Sequence, residues 1–208
     1  MSFYARFFAR GALASLEKLF LTSNGIGDEG MSALAKAITP DKDGKGALAS
    51  LKELQLGGNQ IGDDGLKALA EACASGALDK LTVLHLGGGN QITDDGFATL
   101  MPFLKKGGEL SNLTKFSIGS GVTDKGMKEF ADILSSGALA SLEKLLLNDN
   151  GIGDEGMSAL AKAITPDKDG KGALAPGAIV FLSGNNATET GKQAMLDAAK
   201  ARGLRVYF

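Results

Sequence analysis

The sequence is poor in the residues on which several classes of protein depend. Its 208 residues include one cysteine, one histidine, four prolines and no tryptophan. A single cysteine excludes an internal disulfide, and no apolar run approaches the roughly 18 residues needed to span a bilayer. Because 22 basic and 24 acidic residues leave a net charge of -2, the chain lacks the basic surface that binds nucleic acid. We therefore expect neither a nucleic-acid-binding nor a membrane protein.

The cysteine count and the first residues bear on the compartment. A single free thiol suits a reducing environment, and the chain does not open with a secretory signal, so we expect a cytoplasmic protein. Residues 1–10 contain arginine but no acidic residue. That composition leaves an organelle-targeted protein, with a transit peptide at its start, as the alternative.

Glycine is abundant, and it recurs at fixed places in a repeated pattern. The 30 glycines are about twice the usual frequency, whereas the apolar and charged fractions are ordinary for a protein with a buried core. The pattern Leu-x-x-Leu-x-Leu-x-x-Asn-x-Ile occupies residues 16–26 and 51–61. Residues 142–152 repeat it in full, and variants of it occupy residues 81–92, 113–122 and 180–185. Copies in one register indicate a repeat architecture.

Each copy of the pattern is followed by a glycine and a helical stripe of apolar residues. The first stripe consists of Met31, Leu34, Ala35 and Ile38, and later units repeat it with a weaker version in the last unit. This spacing predicts a short amphipathic helix after each strand. Because a short strand and a short helix bury too little surface alone, we expect the units to stack into a solenoid with one core.

These residues resemble the leucine-rich repeat family, in its ribonuclease-inhibitor-like class. The resemblance implies an α/β solenoid, curved as a horseshoe, with a parallel β-sheet on the concave face and helices on the convex face. It also implies a ladder of asparagine side chains that satisfy backbone groups where the strands end: Asn24, Asn59, Asn90, Asn150 and Asn185. Gly121 replaces the asparagine in the fourth unit, which is one residue shorter, so we expect a local irregularity at 119–122.

The repeat also predicts how the chain is divided. We expect a single leucine-rich repeat domain over residues 1–208, with repeats that start near residues 14, 49, 79, 111, 140 and 175. Residues 1–13 align with the helix of a partial repeat, and residues 203–208 predict a terminal strand with Val206 and Phe208 facing inward. Residues 11–50 and 137–176 differ at four positions, which indicates a young duplication or an engineered copy.

Two kinds of stretch resemble ligand sites. Residues 25–30 and 151–156 match the Gly-x-Gly-x-x-Gly pattern of dinucleotide sites, but the equivalent residues 60–65 and 91–96 do not. The glycines therefore follow the repeat, and the acidic pair between them would repel a pyrophosphate but suits the positive end of a helix. Residues 41–46 resemble half of a calcium loop, yet lysines stand where calcium needs oxygen ligands. We predict no cofactor and no metal site.

Candidates for catalysis are scarce as well. His85 has no second histidine, cysteine or acidic residue at metal-ligand spacing, and we interpret it as a surface residue. Cys73 takes the position that Ile38 and Ile164 fill in other units, which indicates a small buried apolar side chain. No combination of serine, histidine and acid suggests a nucleophile and its base. We predict that the chain is not an enzyme.

The concave face supplies the candidate binding site. Residues that flank the inward leucines alternate outward from each strand, and the resemblance implies that proteins bind there. The predicted protein-binding residues form two rows: Lys18, Glu53, Val83, Lys115, Lys144 and Ile179, then Phe20, Gln55, His85, Ser117, Leu146 and Phe181. A third row contains several glycines, which reduces the side chain available for contact.

The resulting prediction is a non-catalytic module that binds a partner protein through the concave sheet. Two alternatives stay open. One is a self-associating fragment of a longer array with a structural role, because an uncapped solenoid end exposes apolar surface to other copies. The other, which rests on family analogy alone, is a regulator of a GTPase or another enzyme.

Overall fold

The computed structural model of the chain describes residues 13–40, 46–165 and 173–208. The predicted partial repeat at the start of the chain lies almost wholly outside the described residues. The same holds for most of the calcium-like segment 41–46.

Strands and helices alternate along the chain as the repeat predicts. The strands are β1 (Lys18–Phe20), β2 (Glu53–Gln55), β3 (Val83–Leu86), β4 (Ile92–Thr93), β5 (Lys115–Ile118), β6 (Ser120–Gly121), β7 (Lys144–Leu146), β8 (Ile179–Phe181) and β9 (Arg205–Tyr207). The helices are α1 (Gly27–Ile38), α2 (Asp63–Ala74), α3 (Asp94–Leu104), α4 (Asp124–Ser135), α5 (Asp154–Ile164) and α6 (Glu189–Arg202).

The main sheet has its strands in chain order. Strands β1, β2, β3, β5, β7, β8 and β9 form one parallel seven-stranded sheet. The sheet is open, and a helix follows nearly every strand before the next one begins. This arrangement confirms the predicted α/β solenoid.

One apolar core lies between the sheet and the helices. The central residues of five strands face it and are each at most 1% exposed: Leu54, Leu84, Phe116, Leu145 and Val180. The predicted stripes of α1 to α5 are buried against them, whereas in the weaker stripe of α6 Met195 and Ala199 are buried and Leu196 is exposed. In the middle of the array the rings of Phe97, Phe116 and Phe130 pack together, with centroids 5.4 to 6.1 Å apart. Cys73 is buried in the same core, as predicted.

The terminal strand departs from its prediction at the last residue. Val206 pairs with Val180 and packs against the core, as expected. Phe208 is 40% exposed, so the prediction that it faces inward is wrong. The reason is that β9 ends at Tyr207, and no described strand continues the sheet beyond it.

Four of the five predicted asparagine side chains form a ladder at the strand ends, whereas Asn24 is exposed and donates to Thr22 in its own turn. The Asn59 amide group donates to the carbonyl of Leu21 in the preceding repeat, at 2.7 Å, and to Leu56 in its own repeat, at 2.9 Å. Its side-chain oxygen accepts the N–H of Asn24 at 2.8 Å. Asn90, Asn150 and Asn185 bridge adjacent repeats in the same way. These side chains satisfy backbone groups that the short strands leave unpaired.

The fourth unit lacks the asparagine and satisfies its backbone differently. Strands β4 and β6 form a separate two-stranded parallel sheet that pairs Ile92 with Ser120 and Thr93 with Gly121. A Cβ atom at Gly121 would lie 2.7 Å from the Ile92 carbonyl oxygen, so this direct pairing requires glycine. Ser120 takes a φ of 129° in the same turn. The predicted irregularity at 119–122 is confirmed.

A second ladder, which the sequence analysis did not foresee, links each helix to the next. Oδ1 of Asp28, in α1, accepts the N–H groups of Gly62 at 2.6 Å and Gly65 at 2.9 Å, where α2 begins. Asp63, Asp94, Asp124 and Asp154 serve the following helices in the same way. A carboxylate at a helix N-terminus satisfies free amides and opposes the helix dipole. In this chain that carboxylate comes from the preceding repeat.

The near-identical copies 11–50 and 137–176 show what this carboxylate ladder does. In the second copy Asp124 accepts from Gly153 and Gly156, Gly153 is extended at φ -97°, and α5 begins at Asp154. In the first copy no described carboxylate bonds the equivalent amides, Gly27 takes a φ of 57°, and α1 begins at Gly27. The local sequences are identical. The difference in helix start therefore accompanies the presence or absence of a bonded carboxylate among the described residues.

The burial of the strand leucines yields a first testable prediction. Leu54→Ala and Leu145→Ala should each lower the free energy of unfolding by about 2 to 5 kcal/mol, because each leaves a cavity in the core. Urea denaturation followed by circular dichroism measures the loss. Leu146→Ala, on the uncovered face of the same strand, is the matched control and should cost clearly less. Losses below about 1 kcal/mol at both core positions would contradict the inward assignment.

The carboxylate ladder yields a second prediction. Asp124→Ala should cost about 1 to 3 kcal/mol of stability, because it leaves the amides of Gly153 and Gly156 without their acceptor. Asp95→Ala is the control, since the exposed Asp95 carboxylate is paired with Lys125 at 2.8 Å and exposed ion pairs contribute little. The same denaturation experiment compares the two variants. Equal losses would show that the ladder carries no special stability.

Candidate functional site

The helices leave one face of the seven-stranded sheet uncovered, and we call it the open face. The strand register places all predicted protein-binding residues on it in two continuous rows. The first row runs Lys18, Glu53, Val83, Lys115, Lys144, Ile179 and Arg205. The second row runs Phe20, Gln55, His85, Ser117, Leu146, Phe181 and Tyr207.

Two residues of these rows, Arg205 and Tyr207, were absent from the predicted site. Both belong to β9, which pairs with β8 in the register of the other strands. The alternation of the predicted terminal strand was the signal that could have found them. An inward Val206 places its two neighbours on the opposite face of the sheet.

In the N-terminal half of the open face, the charges are neutralised within the chain. Nζ of Lys18 lies 3.2 Å from the Glu53 carboxylate, which also accepts a hydrogen bond from Gln55 at 2.7 Å. These contacts, the Gln55 hydrogen bond foremost, lower the pKa of Glu53. Beside them Phe20 is 58% exposed. This half therefore presents a neutral polar group next to an exposed aromatic ring.

At the centre of the open face, His85 and Ser117 lie over glycines of the third row. A Cβ atom at Gly57 would lie 2.7 Å from His85 Nδ1, and one at Gly87 would lie 2.5 Å from the Ser117 hydroxyl oxygen. Ser117 is buried and His85 is half-buried. The third-row glycines thus make room for these two side chains, in addition to offering no side chain of their own.

The interpretation of His85 as a surface residue therefore needs correction. Its Nδ1 is buried and has no hydrogen-bond partner among the described residues. Burial is the main cause that lowers the pKa of His85, which favours a neutral imidazole near pH 7. The sequence could not show this, because the burial depends on Gly57, which lies one repeat away.

The C-terminal half of the open face is apolar and basic. The rings of Phe181 and Tyr207 stack with centroids 5.2 Å apart and planes 18° apart, and Tyr207 is 48% exposed. Beside them Lys115, Lys144 and Arg205 are exposed. Among the described residues none of these three side chains forms a salt bridge.

The Gly-x-Gly-x-x-Gly stretch of the second copy is occupied by the protein itself. The amides of Gly153 and Gly156, which a phosphate would need, donate to Asp124. A Cβ atom at Gly156 would lie 2.6 Å from the same carboxylate oxygen. The glycine is thus required by contact between repeats, in agreement with the interpretation that these glycines follow the repeat.

The other chemical groups offer little reactivity. Burial raises the pKa of the Cys73 thiol to about 12, so the nucleophilic thiolate is scarce near neutral pH. Within residues 13–40, 46–165 and 173–208, no group of three or more His, Cys, Asp or Glu side chains is placed to hold a metal ion. No helix in these segments has the length and apolar character of a membrane span.

Together these features define a repeat solenoid whose candidate binding groups are side chains on one face of the sheet. A family model described as Leucine Rich repeat matches residues 12–35, 47–70, 79–101 and 138–161. The matches fall on four strand, turn and helix units of the fold, namely the first three and the fifth. The chain belongs to the leucine-rich repeat family. A comparison with curated proteins found no match.

The buried imidazole yields a third prediction. The pKa of His85 in the folded chain should lie below 6.5, because packing against Gly57 disfavours the charged ring. The unfolded state then binds more protons, so the free energy of unfolding decreases as the pH falls through 6.5. Proton NMR titration of the folded and the urea-unfolded chain measures both pKa values on the single histidine.

The variant His85→Asn provides the control for this prediction. It should remove the pH dependence of stability between about pH 7.5 and 5.5, where histidine is the side chain that normally titrates. A folded-state pKa at or above that of the unfolded chain would contradict the assigned packing.

Proposed function

We propose that the chain is a non-catalytic interaction module that binds a partner protein through its open face. Leucine-rich repeats are commonly protein-interaction modules. The observation that carries the proposal is the continuous second row, which presents aromatic side chains at both ends, Phe20 on β1 and Phe181 with Tyr207 on β8 and β9. The lengths of the repeat helices favour the ribonuclease-inhibitor-like class.

The energetics of the open face support this proposal. Phe20 and Tyr207 are 58% and 48% exposed, and burying apolar surface gains about 25 cal/mol per Å². Aromatic side chains dominate binding energy in interfaces of this kind. The parallel backbone pairing holds the rows in place before a partner arrives, so little order has to be gained on binding.

The environments of His85 and Cys73 also support a non-catalytic role. His85 has no hydrogen-bond partner for Nδ1 among the described residues, so no described acidic group orients it as a general base. The Cys73 thiol is buried. A free buried thiol also agrees with our proposal of a reducing, cytoplasmic location.

Affinity capture from lysate of the source cells under reducing conditions tests the binding proposal. The double variant Phe20→Glu/Phe181→Glu should lose proteins that the unchanged chain retains, because it places charge at both aromatic ends of the second row. Leu196→Glu is the matched control, since Leu196 is an exposed apolar residue, 43% accessible, on α6. Mass spectrometry identifies the retained proteins.

Thermal melts of all variants show whether the fold survives. Proteins held equally by the unchanged chain and the folded double variant would contradict binding through the open face. Proteins lost with Leu196→Glu alone would move the site to the helical side of the array.

Self-association is a second candidate that a separate observation favours. At the C-terminal end of the array Leu196, Tyr207 and Phe208 are each at least 40% exposed, and β9 is an edge strand of the sheet. Exposed edge strands pair readily with other chains. Sedimentation equilibrium distinguishes this candidate, because a mass that rises with concentration supports it and a constant monomer mass rejects it.

A further inference from the structure

The two halves of the first row of the open face differ in whether their basic side chains are paired with acidic ones. In its N-terminal half Lys18 is paired with Glu53 at 3.2 Å. In its C-terminal half Lys115, Lys144 and Arg205 are exposed, and no described acidic side chain pairs with any of them. Lys115 contributes only a minor attraction to Glu53. The three cations thus form a stripe, with Ile179 between Lys144 and Arg205, that is not neutralised by any described acidic side chain.

This stripe is local and does not follow from the composition. The chain carries a net charge of -2, so the positive groups stand on a slightly acidic molecule. The nearest exposed acids along β7 are Glu143, just before the strand, and Asp149, in the turn after it. A positive stripe on such a molecule steers and orients an oppositely charged partner.

The apolar residues of the second row lie directly beside the stripe. Lys144 and Leu146 are two residues apart on β7, as are Arg205 and Tyr207 on β9. Side chains at this spacing project from the same face about 7 Å apart. The face therefore offers a cation and an apolar contact side by side on more than one strand.

We propose that this half of the open face binds an acidic peptide segment of the partner protein. Aspartate or glutamate carboxylates of the segment face Lys115, Lys144 and Arg205, and an adjacent apolar side chain packs on the Phe181–Tyr207 pair. The proposal rests on the proposed function and deepens it. A nucleic acid fits less well, because its phosphates require a larger basic footprint than three side chains on an acidic molecule.

Selection from a random library of 12-residue peptides displayed on phage tests this inference with the full chain as bait. The unchanged chain should enrich peptides that contain several acidic residues beside an aromatic or aliphatic one. The open-face variant Lys115→Glu/Lys144→Glu/Arg205→Glu should lose them. The helix variant Lys67→Glu/Lys162→Glu/Lys200→Glu changes the net charge equally at exposed helix positions and should retain them.

A selected peptide then gives a quantitative measurement by fluorescence anisotropy. Its Kd should rise at least tenfold in the open-face variant and less than twofold in the helix variant. Its Kd should also rise between about 0.05 and 0.5 M salt, since ions screen exposed charges. A 12-nucleotide polyuridine strand added as competitor should not displace the peptide at equal concentration.

The other outcomes separate this inference from the proposed function. Peptides without acidic residues that are lost with Phe181→Glu would overturn the acidic partner while supporting binding on the open face. Peptides insensitive to every open-face change would contradict both proposals. Failure to enrich any peptide would overturn this inference and leave the capture experiment as the test of the proposed function. Displacement by polyuridine would overturn it in favour of a nucleic acid.

Discussion

The structure depends on hydrogen bonds that each repeat receives from its neighbour. Asn59 serves the strand ends of two adjacent repeats, and Asp124 holds the start of the helix in the repeat that follows it. Polar groups between packed repeats are costly unless they are bonded. No repeat can therefore satisfy its own backbone, and stability arises from the contact between neighbours.

The duplicated segments show how strongly this dependence acts. The leucines of the first copy, Leu19 and Leu21, are only partly buried, whereas the equivalent Leu145 and Leu147 are at most 1% exposed. Asn24 is exposed and its amide reaches Thr22 in its own turn, whereas Asn150 is buried and bridges two repeats. Position in the array thus decides the environment of residues that share one sequence.

Much of the fold could be predicted from the sequence, because the repeat encodes it at short range. The leucine spacing indicates which face of each strand is buried, and the apolar stripe of each helix indicates which face of that helix is buried. The asparagine ladder was implied by the family resemblance. The gap at Gly121 marked the irregular turn, although it could not show that direct backbone pairing replaces the missing side chain.

The carboxylate ladder and the burial of His85 escaped prediction because both depend on contacts between repeats. The acidic residues after each strand were interpreted as partners of their own helix, and they serve the next helix, about one repeat further along the chain. His85 owes its burial to Gly57 in the neighbouring strand. Sequence spacing describes a single strand or helix, whereas these contacts depend on how two elements are placed side by side. Protein binding by the two rows of the open face stays a prediction.

The same contacts between repeats also determine which groups of the chain are available to bind a partner. At the starts of helices α2 to α6 the amides donate to an aspartate of the preceding repeat, and where an asparagine follows the strand it binds the strand-end carbonyl, so these groups are not available to a ligand. The side chains in the two rows of the open face take no part in these two ladders. A partner in the N-terminal half would have to compete with the Lys18–Glu53 pair. In the C-terminal half no ion pair between described residues has to be broken, so a partner there gains its contacts at lower cost.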